Sequence, residues 1–391
     1  MHKNKVLILA NTFYPILGGV ETHLTDLIKS ISKEKDLEAH LIAYTYFGDK
    51  DNPYINMYDN VKISLLKLCS RNHKSVINWL QLHSYLFYFS FTILPMFFYT
   101  FYYCLKNKNF NLVHANSHTT GVVAVLISKI FGIEKRYISM HGFMFSKLPN
   151  FQKYNKFRWI IKRQFKKFDK IFCVGQISYN ENKELMDGDS SKLELFRYWV
   201  DDVFFGVGKD KKLAKNELGL GDRKIIFYAG RLRPTKGILV LLDVARRMPQ
   251  FNFVIAGDGI LKDEVEEYSK KYENIKFLGK IKNSLLPQYY VASDISILLT
   301  QGDGEGIPRA LIESISCGTP VLATDWGGTK ELVDFGTGFI VENDVSDIKN
   351  KIETILGNEE IYTKKQQSCY SVAQKYFSKQ NAQIFIKNYQ T

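Results

Sequence analysis

The sequence predicts an α/β protein of two doubly wound domains, and three features carry that expectation. Short apolar runs alternate with stretches whose apolar residues recur at three- and four-residue steps, as in a parallel sheet with helices on both faces. The alternation occurs twice, on either side of the polar stretch Asp201–Asp222. The chain has 391 residues, enough for two or three domains of about 100–200 residues that each bury a core. A hydrophobic fraction of 45%, with 26 Gly and 9 Pro, excludes disordered, collagen-like and coiled-coil chains.

The elements follow in order. Val6–Ala10 is too short for a signal peptide and the right length for a buried first strand. The loop Asn11–Gly19 comes next, then a helix with Val20, Leu24, Leu27, Ile28 and Ile31 on one face. Further strands are expected at Ala39–Tyr46, Leu112–Ala115, Tyr137–Met140 and Ile171–Val174, with a helix over Gly121–Phe131. In the second half, strands are expected at Ile225–Ala229, Phe253–Ala256, Asn274–Leu278, Ile295–Leu299 and Thr319–Ala323. Helices should cover Ile238–Arg247, Lys262–Tyr272 and a segment beginning at Pro308 and running to Cys317. Val372–Tyr389 has helical apolar spacing that pattern alone assigns to neither domain. The division reads as a first domain over 1–200, a linker over 201–222, a second domain over 223–371 and a terminal helical segment over 372–391.

Five cysteines (Cys69, Cys104, Cys173, Cys317 and Cys369) are odd in number, scattered and without a CxxC pair. They read as reduced thiols, neither a disulfide framework nor a zinc site. The net charge of +13 is concentrated in one half. Residues 1–200 hold 27 Lys and Arg against 15 Asp and Glu, whereas 201–391 hold 26 against 25. A basic first half implies an anionic partner there.

Several loops could carry chemistry. Gly230-Arg231-Leu232-Arg233-Pro234-Thr235-Lys236-Gly237 joins a strand to a helix, and its cations and backbone N–H groups suit a diphosphate as well as plain solvation. Gly302-Asp303-Gly304-Glu305-Gly306-Ile307-Pro308 follows another strand, and seven residues separate Glu305 from Glu313, one in the loop and one on the helix. They either accept hydrogen bonds from sugar hydroxyls or serve as a helix cap and a surface carboxylate. Gly18-Gly19 precedes the first helix as a turn or a phosphate-type loop. His141 follows a strand and is either structural or ligand-facing, whereas His114, within a strand, reads as core. Asp187-Gly188-Asp189 has a metal-type spacing but sits in a polar stretch and reads as a solvated turn. P-loop, GxSxG and HExxH motifs are missing.

Taken together, Gly230–Gly237, Ala256-Gly257-Asp258-Gly259, Ala292-Ser293-Asp294, Glu305 to Glu313 with Cys317-Gly318-Thr319-Pro320-Val321, and Gly327-Gly328-Thr329-Lys330-Glu331 occur in a telling order. They resemble the C-terminal domain of the retaining glycosyltransferases of family four, also called group 1, which have the GT-B fold. Pro15-x-x-Gly18-Gly19-x-Glu21-x-His23 and Met140-His141-Gly142 resemble the N-terminal half of the same family. The resemblance implies two Rossmann-like domains facing a cleft, with the C-terminal helix returning to the first. It implies that Arg231 and Lys236 hold the donor's diphosphate, that Glu313 binds ribose hydroxyls, and that Glu305 with the backbone of Gly306, Ile307 and Pro308 binds the transferred sugar. Gly230 and Gly304 would complete the donor loops, Gly19 would lie near the phosphates, and His141 near the reacting sugar. No metal or cofactor is implied beyond a nucleotide-sugar substrate, a UDP-sugar by expectation. Two positions depart from the family: Tyr198-Trp199-Val200-Asp201 replaces the usual Asn-Gly-Val-Asp, and Thr300-Gln301 replaces Pro-Ser. Ile307-Pro308-Arg309 is similar to members that extend lipid-linked glycans.

Two segments of the basic half suggest a membrane surface. Ser75–Leu105 holds no charged residue and twelve aromatic ones. It exceeds the about 20 residues that a span needs, yet spanning would separate strands that belong to one sheet. It reads as interfacial, as an apolar acceptor groove, or as an aromatic core. Lys147–Lys170 holds nine Lys and Arg, with Phe151, Tyr154, Phe157, Ile161, Phe165 and Phe168 at helical steps, and reads as a helix docking on anionic lipid or as an amphipathic helix of the domain. The expected function is therefore a cytoplasmic, membrane-peripheral glycosyltransferase acting on a lipid-linked saccharide at the inner face of the plasma membrane. A nucleotide-sugar 2-epimerase of the same architecture is the alternative. A nucleic-acid binder is disfavoured, because the cations accompany an apolar stripe and no nucleic-acid motif is present.

Overall fold

The computed structural model describes residues 3–14, 18–45, 52–67, 85–142, 151–206, 210–302 and 306–391. They form two compact units, residues 1–196 with 382–391, and residues 197–381.

The first unit is built from β1 (Asn4–Thr12), α1 (Gly19–Ile31), β2 (Leu37–Thr45), β3 (Val61–Lys67), α2 (Tyr85–Lys106), β4 (Leu112–Ala115), α3 (His118–Phe131), β5 (Lys135–Met140), α4 (Phe151–Phe165), β6 (Lys170–Val174), α5 (Gly175–Leu185) and β7 (Leu193–Phe196). Its strands make one parallel sheet in the order β3-β2-β1-β4-β5-β6-β7. The central strands are apolar because both of their faces are covered: Val6 to Ala10 of β1 have no exposed surface. Helices α2, α3 and α4 bury Met96, Cys104, Val123, Ile127 and Phe165 against one face of the sheet, joined by Phe168 just after α4.

The second unit contains α6 (Val203–Gly206), α7 (Lys211–Glu217), β8 (Ile225–Arg231), α8 (Ile238–Arg246), β9 (Asn252–Asp258), α9 (Lys262–Lys271), β10 (Ile275–Gly279), α10 (Leu286–Ala292), β11 (Ile295–Leu298), α11 (Arg309–Ser316), β12 (Val321–Thr324), α12 (Thr329–Leu332), β13 (Gly338–Val341), α13 (Val345–Gly357) and α14 (Glu359–Tyr376). Its parallel sheet runs β10-β9-β8-β11-β12-β13. The last helix, α15 (Gln383–Gln390), lies in the first unit.

Three expectations change. The polar stretch 201–222 is part of the second unit rather than a linker. Lys211 and Lys215 of α7 both reach the buried carboxylate of Asp294, at 2.8 and 3.2 Å, so these lysines are tied into the unit and share one counter-charge there. The terminal segment divides earlier than 372–391 suggests, because α14 runs through Tyr376 in the second unit and only Ala382–Thr391 joins the first. Phe165 of α4 and Phe168 just beyond it are fully buried and Ile161 packs against the core, so the described part of that apolar stripe faces inward. Among the described residues, no helix is long and apolar enough to cross a membrane.

Candidate functional site

In each sheet the chain leaves the first strand toward one side and the fourth toward the other, and ligands of such folds gather at the carboxyl ends beside that reversal. In the second unit the reversal lies between β8 and β11. The loop after β8 is clamped there on two sides. Leu232 donates its N–H to the Asp258 carbonyl at 2.9 Å, and a Cβ on Gly257 would lie 1.9 Å from the Gly230 carbonyl oxygen. The Gly257-Asp258-Gly259 signature is thus a backing for the β8 loop, where only a bare backbone fits.

On its other side the β8 loop meets the end of β11. Pro234–Lys236 forms a single 3-10 turn that closes on Gly237 at φ +68°. A Cβ there would meet the Leu299 side chain at 2.4 Å and its carbonyl oxygen at 2.5 Å. The Gln301 N–H donates to the Thr235 carbonyl at 2.8 Å. The β12 loop joins in, as the Gly328 N–H donates to the Gly306 carbonyl at 2.9 Å and Gly328 abuts Ile307. Three strand-end loops carrying Gly230, Arg231, Lys236, Gly306, Ile307 and Pro308 therefore interlock into one platform. Arg231 is exposed and Lys236 half-buried. Gly304 and Glu305 lie outside the described residues.

Helix α11 opens directly from this platform, with Pro308 at its N-cap. Glu313 is only 6% exposed, which excludes a surface carboxylate. Arg309, one turn earlier, brings its Nε to 4.0 Å from Glu313, and both side chains are buried. The Arg309 guanidinium also lies 5.6 Å above the Tyr198 ring. Burial and the Glu313 carboxylate together push the Tyr290 phenol well above its ordinary pKa. Arg309 entered the sequence reading only as part of Ile307-Pro308-Arg309, and Tyr290 was passed over; the i, i+4 spacing of Arg309 and Glu313 was the available signal for their pairing. The aromatic pair that departs from the family pattern is buried, Tyr198 at 2% and Trp199 at 1% exposure, and Tyr198 forms the floor beneath Arg309.

In the first unit the reversal lies between β1 and β4. Asn11 at the end of β1 accepts hydrogen bonds from Ser117 Oγ at 3.2 Å and Thr119 Oγ1 at 2.8 Å. Thr12 donates to the carboxylate of Glu21 on α1. His141, after β5, pairs its Nε2 with Asn116 Oδ1 at 3.1 Å, and its ring centroid lies 5.1 Å from that of His23. The surrounding protein drives the His141 pKa down to about 3, so the imidazole is neutral at physiological pH. Gly19 opens α1 with an exposed backbone. His114 is core, as expected: fully buried, it pairs with Ser139 and with Tyr389 of α15. Asp187 and Gly188 both adopt positive φ, and Asp189 accepts from the Ser191 N–H, which makes that segment a turn. Among the described residues, no group of three or more His, Cys, Asp or Glu is arranged to hold a metal ion.

Known proteins share this plan. Residues 17–202 match the model described as Glycosyltransferase Family 4, and residues 210–376 the one described as Glycosyl transferases group 1. An uncharacterised glycosyltransferase of Methanocaldococcus jannaschii is 25% identical, covering 91% of this chain and 89% of its own. The UDP-Gal:alpha-D-GlcNAc-diphosphoundecaprenol alpha-1,3-galactosyltransferase of Escherichia coli is 27% identical over 64% of this chain and 67% of its own. The crystal structure of Anabaena HepE with UDP and glucose superposes with a TM-score of 0.74 at 18% identity, covering 98% of each chain. That last likeness speaks to the fold alone, two Rossmann-like domains of the GT-B type.

Proposed function

Since the chain belongs to the group 1 glycosyltransferases, family four, we propose that it is a retaining enzyme that moves a hexose-type sugar from a UDP-sugar to a hydroxyl of a lipid-linked saccharide. The interlocked loop platform of the second unit carries this reading, because it gathers Arg231 and Lys236 at a sheet's reversal point and leads straight into the buried Glu313. The E. coli galactosyltransferase named above, by its name, takes a UDP-sugar and an undecaprenol-diphosphate-linked acceptor, which supports the same substrate classes here. Both matched models describe glycosyltransferases, which favours transfer over epimerisation.

On this reading, the bond between the anomeric carbon and the diphosphate breaks, the acceptor oxygen forms the new bond to that carbon, and the hydroxyl's proton passes to the departing diphosphate. Arg231 and Lys236 meet the negative charge that grows on the departing diphosphate. Glu313 accepts hydrogen bonds from the ribose hydroxyls, its carboxylate aimed by Arg309. Glu305, with the backbone from Gly306 to Pro308, holds the hydroxyls of the migrating sugar. His141, being uncharged, can offer a bound sugar a hydrogen bond rather than a charge. Substrates of these two classes support a site of action at the cytoplasmic face of the plasma membrane.

The test is a transfer assay with a panel of UDP- and GDP-sugars and a polyprenyl-diphosphate-linked saccharide extract, with the product's anomeric coupling read by NMR. Transfer from a UDP-sugar with the donor's anomeric configuration kept is expected. An inverted product would remove retention, and conversion of the donor without acceptor would restore the epimerase.

A further inference from the structure

Eight of the 14 large apolar side chains exposed among the described residues sit on α2, α3 and α4. On α2 they form one row: Leu94, Phe98, Tyr102 and Leu105, each 50–64% exposed, stand opposite the buried row Ile93, Met96, Thr100 and Cys104. Helix α3 continues the surface with Leu126 and Ile130. The two helices are in direct contact, Phe101 meeting Phe131 at 5.5 Å, and α4 ties to α3 where Gln164 Nε2 donates to the His118 carbonyl at 2.8 Å.

Charge distinguishes this layer from an ordinary domain face. None of the three helices contains an Asp or Glu, while they carry Lys106, Lys129, Arg158, Lys162 and Arg163. Acids reach α4 from α5 and the turn after it, where Glu184 pairs with Arg158 at 2.8 Å and Asp187 with Lys162, and Glu38 of β2 acts on Tyr103 of α2. Lys106, at the end of the apolar row, sets its ammonium 4.4 Å above the Tyr102 ring. An apolar row bordered by cations and empty of carboxylates is complementary to lipid headgroups over acyl chains, where each basic residue contributes about 1 kcal/mol at an anionic surface.

We propose that the outer face of α2 and α3 is a lipid-docking surface that seats the first unit on an anionic bilayer, with Leu94, Phe98 and Tyr102 entering the headgroup–acyl boundary. The inference deepens the reading above, which gives the acceptor a lipid anchor, and it rests on a row of α2 that is open to lipid rather than on the aromatic stripe of α4.

The experiment floats the full-length protein with phosphatidylglycerol–phosphatidylcholine vesicles and with pure phosphatidylcholine vesicles. It compares wild type, the pair Leu94→Glu with Phe98→Glu, and the pair Leu126→Glu with Ile130→Glu, which repeats the test on a second helix should the first pair fail to fold. Oligomeric state and the UDP-induced rise in melting temperature are recorded for each. Expected are wild-type flotation on the anionic vesicles, at least about a tenfold loss in the charged variants, and an unchanged response to UDP. Wild type that stays at the bottom, variants that float as well as wild type, or a wild-type dimer that the variants split without any vesicle binding would overturn the proposal, the last assigning the face to a second copy. Flotation without any response to UDP would leave the docking face standing and remove the donor reading instead.

Discussion

Gly237 shows how little freedom the donor platform has. Its positive φ and the close approach of Leu299 leave no room for a side chain. Gly237→Ala should cost about 1–3 kcal/mol in urea denaturation, since both strain and overlap oppose the methyl group. It should also weaken UDP binding, because the turn it distorts carries Lys236. Unchanged stability would show that the loop relaxes easily. Two further substitutions address the chemistry: Lys236→Ala and Glu305→Ala should abolish sugar transfer while the melting temperature stays near that of wild type. Turnover at the wild-type rate in either variant would free that residue of its assigned part.

Helix α15 closes the first unit with aromatic contacts. Phe385 lies 4.7 Å from Phe172 and 5.1 Å from Phe196, and Tyr389 pairs with the buried His114. Deleting 382–391 exposes these partners. Losing one such aromatic typically costs about 3–5 kcal/mol, much of a marginal total. The truncated chain should therefore aggregate or melt far below wild type in a thermal scan, and a melting point within a few degrees of wild type would make the helix dispensable. Elements of this kind differed in how plainly the sequence announced them. The central strands were legible because, covered on both faces, they carry short buried runs such as Val6–Ala10 of β1 and Leu112–Ala115 of β4. β3, β7 and β13 were not anticipated: each lies at a sheet edge and is only partly covered, Lys62 and Ser64 interrupt β3, Glu194 interrupts β7, and β13 is only four residues long. Lysines misled in the same physical way: Lys211 and Lys215 look solvated until the buried Asp294 is placed beside them. The site's glycines and cations were readable as loops, whereas the burial of Glu313 against Arg309 depends on contacts that spacing does not encode.

Two histidines of the first unit couple the whole molecule to pH. Burial holds His114 and His141 at about 3, against an ordinary value of 6.5. The unfolded chain therefore takes up protons that the native state refuses, and stability present above pH 6.5 drains away as the pH falls toward 3. At pH 5 the fully buried His114 alone should cost about 2 kcal/mol, at about 1.36 kcal/mol per pKa unit. Urea midpoints measured at pH 7.5 and pH 5 should show this loss, and a flat or rising profile would mean that these rings accept a proton in the folded protein.

The account turns on whether the second unit grips a nucleoside diphosphate through its interlocked loops. Isothermal titration of UDP into wild type, Lys236→Ala and Glu313→Gln reads this directly. One saturable site in wild type, weakened at least about tenfold in each variant by loss of a charge-assisted contact, is the predicted result. UDP that fails to bind the wild type, or that binds all three proteins equally, would contradict it.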